Sequence, residues 1–176
     1  SSEMLKSAIA AGLCSAGADV LELGVLPTPA VAFLVKKYGY DAGIMVSASH
    51  NPCEYNGIKI FKSDGYKLPN VLEERIETII LDSIISPEII IGGDIGRIRY
   101  GDMAIFDYIE HLLSSVDSDF TKMKIALDCA NGSSAVTAPD LFTRLGADFE
   151  VLSAVPNGIN INRNCGSTHI EKLQKF

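Results

Sequence analysis

The stretch from Gly43 to Lys67, GIMVSASHNPCEYNGIKIFKSDGYK, narrows the possible folds more than any other part of this sequence. Gly43-Ile44-Met45-Val46 is a short apolar run of the kind a buried strand makes, and it delivers Ser47, Ser49, His50 and Asn51 to its carboxyl end. Pro52 stops the strand. Asn56-Gly57 supplies a turn, Ile58 to Phe61 reads as a second apolar strand carrying Lys59 back toward the serines, and Asp64-Gly65 closes the unit. The pattern predicts an active-site loop on which two hydroxyls, an imidazole, an amide and an ammonium converge.

Helix-like and strand-like segments alternate around this unit. Leu5, Ile9 and Leu13 recur at helical spacing over Ser2 to Ala16, with Gly17 placed to end the helix. Asp19 to Leu26 reads as a strand, Pro27-Thr28-Pro29 opens a second helix reaching Tyr38, and Ala42 to Val46 is the strand before the serine loop. The order α-β-α-β places that loop where open α/β sheets bind their ligands. Beyond it, Leu72, Ile76, Ile79 and Ile80 predict a surface helix over Pro69 to Ser83. Ile84 to Ile91 is either a strand or an extended connection, with Pro87 arguing against a central strand.

Gly92-Gly93-Asp94-Ile95-Gly96 has the composition of a linker, so residues 1–92 are expected to form one domain, 93–102 a linker, and 103–176 a second domain. In the second, Met103 to Leu113 predicts a helix with Ile105, Ile109 and Leu112 or Leu113 on one side, and Met123 to Leu127 a strand. Asp128 to Ser134 is a strand-to-helix turn, Ala135 to Leu145 the helix it opens with Gly146 as its stop, and Phe149 to Leu152 the next strand. The segment from Pro156 to His169 is rich in asparagine and glycine, and only a stub of helix follows. So few strands make unfinished sheets, and the chain is expected to be a piece of something longer.

Composition narrows the chemistry. With 176 residues and 47% hydrophobic content the chain buries a real core, and its formal charge of -7, without a run of like charges, gives no support to nucleic-acid or anionic-membrane binding. Cys14, Cys53, Cys129 and Cys165 lie far apart, unlike zinc or redox motifs, and are expected to be buried or incidental thiols in a cytoplasmic protein. Met4 to Leu26 has a signal-like content of small apolar residues, but Asp19 and Glu22 interrupt it.

A serine needs a base, a lowered charge cost or phosphorylation to react, and His50 and Lys59 offer a base and a cation for phosphate chemistry. On residues alone this reading stands level with a plain hydrogen-bonded turn. The flanking glycines of a hydrolase nucleophile elbow and the pattern of a nucleotide P-loop are both missing. His111 is expected to be a surface or capping residue, His169 polar loop, Asp128 a structural turn residue, and Asn131-Gly132 a tight turn rather than an anion site.

Ser47-Ala48-Ser49-His50-Asn51-Pro52, followed by Tyr55-Asn56-Gly57-Ile58-Lys59, resembles the phosphoserine loop of the α-D-phosphohexomutases. Serine at Ser47, Asp128-Cys129-Ala130-Asn131-Gly132, and Pro156 to Asn162 leading to Cys165-Gly166 resemble the bacterial members that act on glucosamine phosphates. The resemblance implies an α/β fold of two incomplete three-layer α/β/α domains, with mixed sheets flanked by helices. It implies a phosphoserine at Ser49, assistance to phosphoryl transfer from His50 and Lys59, and Mg²⁺ held in part by a phosphate oxygen on Ser49. The implied reaction interconverts glucosamine 6-phosphate and glucosamine 1-phosphate through a bisphosphorylated sugar. Phosphomannomutase or phosphoglucomutase activity, and a non-catalytic phosphosugar-binding module, are the alternatives. The expected partner is a phosphorylated amino sugar, with no nucleic acid and no membrane; a homodimer is left open. The family's carboxylate metal loop, its sugar-selecting loop, its distal phosphate-binding loop and its amino-terminal arginine segment find no counterpart in this sequence, so this length of chain alone is expected to be inactive and to hold Mg²⁺ weakly.

Overall fold

The computed structural model describes residues 1–82, 88 and 90–176. Helix α1 runs Ser2–Ser15, strand β1 Val20–Glu22, helix α2 Thr28–Tyr38, and strands β2 and β3 Ala42–Val46 and Ile58–Lys62. Helix α3 is Asn70–Leu81, strand β4 Ile98–Tyr100, helix α4 Ala104–Ser114 and strand β5 Lys124–Asp128. Helix α5 at Ala138–Arg144, strand β6 at Asp148–Leu152 and the short helix α6 at Glu171–Gln174 complete the order. Among the described residues three strand pairs form: β1 with β4 in parallel, β2 with β3 antiparallel, and β5 with β6 in parallel. Helices and both kinds of pairing make this a mixed α/β fold.

Helix α2 is the pivot of the packing. Pro29 lies in its first turn, where the missing N–H costs nothing, and Gly39 ends it in the left-handed conformation at φ 70°. Its Ala30 and Leu34, both fully buried, pack with Leu26, Ala104 and Tyr108, joining α2 to α4. One step round the helix, Val31 and Val35 pack with Phe61, joining α2 to the β2–β3 hairpin. Tyr38 Oη donates to Asp107 at 2.6 Å across the α2–α4 contact; burial and this bond push the phenol up to about 12. Phe33 and His111 stack there at 3.9 Å, so His111 also contributes to the contact between the helices.

Several segments depart from their sequence signals for local reasons. The apolar run Asp19 to Leu26 keeps strand geometry only over Val20–Glu22, because Leu26 turns into the α2 core at 2% exposure. Helix α1 buries Ala10 and Cys14, while Leu13, expected on the apolar face, is 36% exposed. In α4 the buried side runs through Ala104, Tyr108 and Ile109, and Ile105 faces outward, since the helix meets α2 one position round from the stripe of largest aliphatics. Pro139 divides the helix expected over Ala135 to Leu145: a 3₁₀ turn at Ser133–Val136 precedes α5, in whose first turn the proline is tolerated. Helix α3 forms as expected but buries none of its residues. The alternatives for Ile84 to Ile91 fall largely on residues outside those described.

Strand β4 forms within segment 93–102, where only a linker was expected. Val20, Leu21 and Glu22 pair with Ile98, Arg99 and Tyr100, and the Arg97 N–H donates to Asp19 Oδ1 at 2.8 Å. This approach needs glycine at 96, where an added Cβ would sit 1.9 Å from the Ala18 carbonyl oxygen; at Gly93 it would meet nothing within 4 Å. Gly96→Ala is expected to lower the unfolding free energy by about 1–3 kcal/mol, and Gly93→Ala to leave it within about 0.5 kcal/mol, as measured by urea denaturation.

Candidate functional site

The antiparallel register sets the geometry of the serine loop. Val46 pairs with Ile58 and Met45 with Lys59, and the Ser47 N–H donates to the Gly57 carbonyl at 2.8 Å, extending the ladder by one rung. Gly57 allows that approach, since an added Cβ would lie 3.1 Å from the Ser47 carbonyl oxygen. The chain then leaves the sheet, and Ser49 and His50 sit exposed at the turn. Ser49 has φ 61°, a left-handed conformation that a non-glycine residue adopts at a cost of about 1–2 kcal/mol. Its N–H donates to Ser47 Oγ at 3.1 Å, and the Asn51 N–H donates to the Ala48 carbonyl at 3.2 Å. The two serines are therefore not equivalent: the Ser47 hydroxyl oxygen braces the turn, and the Ser49 hydroxyl, among the described residues, has no hydrogen-bond partner.

A second loop, residues 153–166, meets this turn. Asp128, at the end of β5, accepts from the Ala130 N–H at 2.9 Å through one oxygen and from the Gly166 N–H at 2.8 Å through the other. Asn131 Oδ1 accepts from the Val155 N–H at 3.1 Å, and the Asn162 N–H donates to the Ala130 carbonyl at 2.9 Å. From this scaffold the Asn162 side chain reaches back to the serine loop, with Nδ2 donating to the Ser49 carbonyl at 3.1 Å and to the Asn51 carbonyl at 2.9 Å. Among the described residues, the non-glycine positions at positive φ are Ser49, Ala130, Asn131, Ser153, Asn162 and Asn164, all in these two converging loops or the β5 turn that supports them. Strained backbone is concentrated at the place where polar groups meet.

Lys59 follows Ile58 in the rung next to the loop and shares a sheet face with Phe61, while His50 is adjacent to Ser49 in the exposed turn. Among the described residues neither side chain makes a hydrogen bond or an ion pair, so both remain available to a bound anion. A cavity of about 680 Å³ extends from α1 and β1 past β2 to the serine loop, and its walls include Ser47, Ser49, Asn51, Asn131, Ser133 and Ile161. Asp128 and Asn131 are structural turn residues, and His169 lies exposed in the loop after Gly166. All four cysteines are free thiols; Cys14, Cys129 and Cys165 are buried.

The family resemblance implies a divalent metal. Among the described residues there is no group of three or more His, Cys, Asp or Glu placed to hold one. A phosphate oxygen on Ser49 is the one donor this loop would supply, so these residues do not by themselves build a site for Mg²⁺. Among the described residues no helix is long and apolar enough to cross a membrane.

Residues 1–84, which contain the hairpin and the serine loop, match the family described as phosphoglucomutase/phosphomannomutase, alpha/beta/alpha domain I. Across the whole chain, the phosphoglucosamine mutase of Acetivibrio thermocellus is 51% identical over 176 residues and that of Thermoanaerobacter pseudethanolicus 53% identical over 176 residues. The chain carries domain I of the phosphoglucomutase/phosphomannomutase family at residues 1–84. It spans 39% of the length of these two curated phosphohexomutases. A crystal structure of a phosphoglucomutase/phosphomannomutase family protein from Burkholderia thailandensis superposes with a TM-score of 0.77 at 28% identity, covering 97% of this chain and 37% of that one. That likeness extends beyond the family match at 1–84.

Sequence reasoning selected the serine loop but missed Asn162. Its available signal was the cluster of asparagines at 157, 160, 162 and 164, a residue type suited to left-handed backbone. Asp128 makes the junction sensitive to acid. Burial opposes its charge, but the N–H groups of Gly166 and Ala130 outweigh that and hold its carboxyl below the usual 3.8. A depressed folded-state value adds stability that is complete above the unfolded pKa and is lost as pH falls through the folded one. Asp128→Asn is therefore expected to melt below the parent chain at pH 7, with the gap closing as pH falls below about 4; melting curves across pH measure it.

Proposed function

We propose that this chain supplies the phosphoserine-bearing part of a phosphohexomutase that interconverts glucosamine 6-phosphate and glucosamine 1-phosphate. The observation that carries the reading is the presentation of Ser49: an exposed hydroxyl on a left-handed turn, in a chain about half identical over its whole length to proteins named phosphoglucosamine mutase. Residues 1–92 form the unit that carries the phosphoryl group, 93–102 add strand β4 to it and lead on, and 103–176 begin the unit that braces it.

In the first transfer the bond between phosphorus and Ser49 Oγ breaks as a bond forms from phosphorus to a hydroxyl oxygen of the sugar phosphate. The sugar hydroxyl proton passes to a base, and Ser49 Oγ takes up a proton as it departs. The bisphosphorylated sugar then reorients, and the reverse exchange moves its other phosphoryl group onto Ser49. A phosphoserine carries about -1.5 to -2 charge at neutral pH, which Lys59 and the loop N–H groups offset while His50 handles a proton. Mg²⁺ would be the cofactor of this reading; a phosphate on Ser49 would give it one oxygen ligand, and the metal would offset charge on the transferring oxygens. The partner is a phosphorylated amino sugar, and the place is the cytoplasm, where four free thiols stay reduced.

Steady-state assay of the full-length protein containing this chain tests the proposal. Ser49→Ala is expected to abolish turnover, and the parent protein to show a higher kcat/KM for glucosamine phosphate than for glucose or mannose phosphate. Turnover retained by Ser49→Ala contradicts the role of the serine, whereas a preference for glucose or mannose phosphate contradicts the substrate alone.

A further inference from the structure

The strongest unassigned feature is the bridge between the Asn162 carboxamide and the main chain on either side of His50. We propose that Asn162 is a positioning residue for the serine loop: its two side-chain N–H groups hold the carbonyls of Ser49 and Asn51 and so fix the turn that presents Ser49 Oγ. This rests on the reading of Ser49 as the phosphoryl carrier.

The geometry assigns the amide orientation as well as the contact. Both groups facing the Asn162 side chain are carbonyl oxygens, at 3.1 and 2.9 Å, so only the NH₂ end fits there, and its two hydrogens match the two acceptors. The bond lengths are those of ordinary amide hydrogen bonds. They span 113 and 111 residues of sequence, so they act on the loop from a separate part of the fold.

The support behind the carboxamide is fixed. Asn162 has φ 57°, a conformation asparagine tolerates better than most side chains, and its N–H is tied to the Ala130 carbonyl at 2.9 Å. Asp128 grips Gly166 a few residues on, and Asn131 grips Val155 at the start of the same loop. The serine turn has less support of its own: Ser49 holds φ 61° with one short-range bond from its N–H to Ser47 Oγ. Without Asn162 the Ser49 and Asn51 carbonyls lose their anchor, and the turn can relax toward ordinary backbone, moving Oγ away from the in-line position. Misplacing a reacting group by about 1 Å costs as much as ~100-fold in rate.

Because the bonds end on main-chain carbonyls rather than on groups that meet the sugar, the loss is expected in kcat and not in KM. In the full-length protein, Asn162→Asp keeps the side-chain shape and removes both donors, while Asn162→Gly removes the carboxamide and retains access to left-handed backbone. Both are expected to lower kcat about 10- to 100-fold, with KM within about threefold of the parent and a melting temperature close to it. Either variant keeping the parent kcat, while Ser49→Ala abolishes turnover, overturns the positioning role and leaves the phosphoserine reading intact. A fall in kcat matched by a fall in melting temperature in both variants assigns Asn162 to loop folding alone and also overturns it. Turnover retained by Ser49→Ala removes the phosphoserine reading, and this proposal with it.

Discussion

The antiparallel pairing of β2 with β3 is the constraint on which the rest of the site depends. Five residues of each strand are in register, from Ala42 opposite Lys62 to Val46 opposite Ile58, and the bond from Ser47 to Gly57 adds a rung beyond them. The chain between those rungs must leave the sheet and return within a short length, which forces a tight turn and exposes its tip. Phe61 and Met45 on one face of the hairpin meet Val31 and Val35 of α2, so the base of the loop is locked to the core while the tip stands free. The phosphoryl-carrier role proposed for Ser49 suits that arrangement, since its hydroxyl is exposed on a loop whose base is anchored.

The hairpin alone leaves the tip under-supported, and the remainder of the chain supplies the brace. Helix α4 packs on α2 through Ala104 and Tyr108, and the loop after β6 reaches the serine loop. Asp128 and Asn131 then organise residues 153–166, and Asn162 closes the circuit to Ser49 and Asn51. The chain has net charge -7 and no run of basic residues, and the side-chain donor that reaches the loop is the Asn162 amide.

Much of this was legible in the sequence where the signal is local. Strand β2, helix α2 with its proline start and Gly39 stop, and the serine-loop motif all announce themselves within a few residues. The signals that failed were those set by partners distant in sequence. Strand β4 has only the brief alternation Arg97-Ile98-Arg99-Tyr100 behind a glycine-rich stretch, and it forms because β1 pairs with it and Gly96 lets the backbones approach. The buried side of α4 is set by where α2 lies, so Tyr108 is buried and Ile105 is not. Asn162 is the furthest case: asparagine in a glycine-rich loop reads as turn chemistry, and only tertiary structure brings its carboxamide to two carbonyls more than a hundred residues away.

Peptide mapping by mass spectrometry of the protein purified from growing cells, before any exposure to phosphatase or substrate, tests the central claim most directly. The account predicts covalent phosphate on Ser49, transferred to glucosamine monophosphate on incubation to give the bisphosphorylated sugar, and absent from Ser47, whose oxygen is engaged by the Ser49 N–H. An active protein that carries its phosphate on Ser47, or on neither serine, would contradict it.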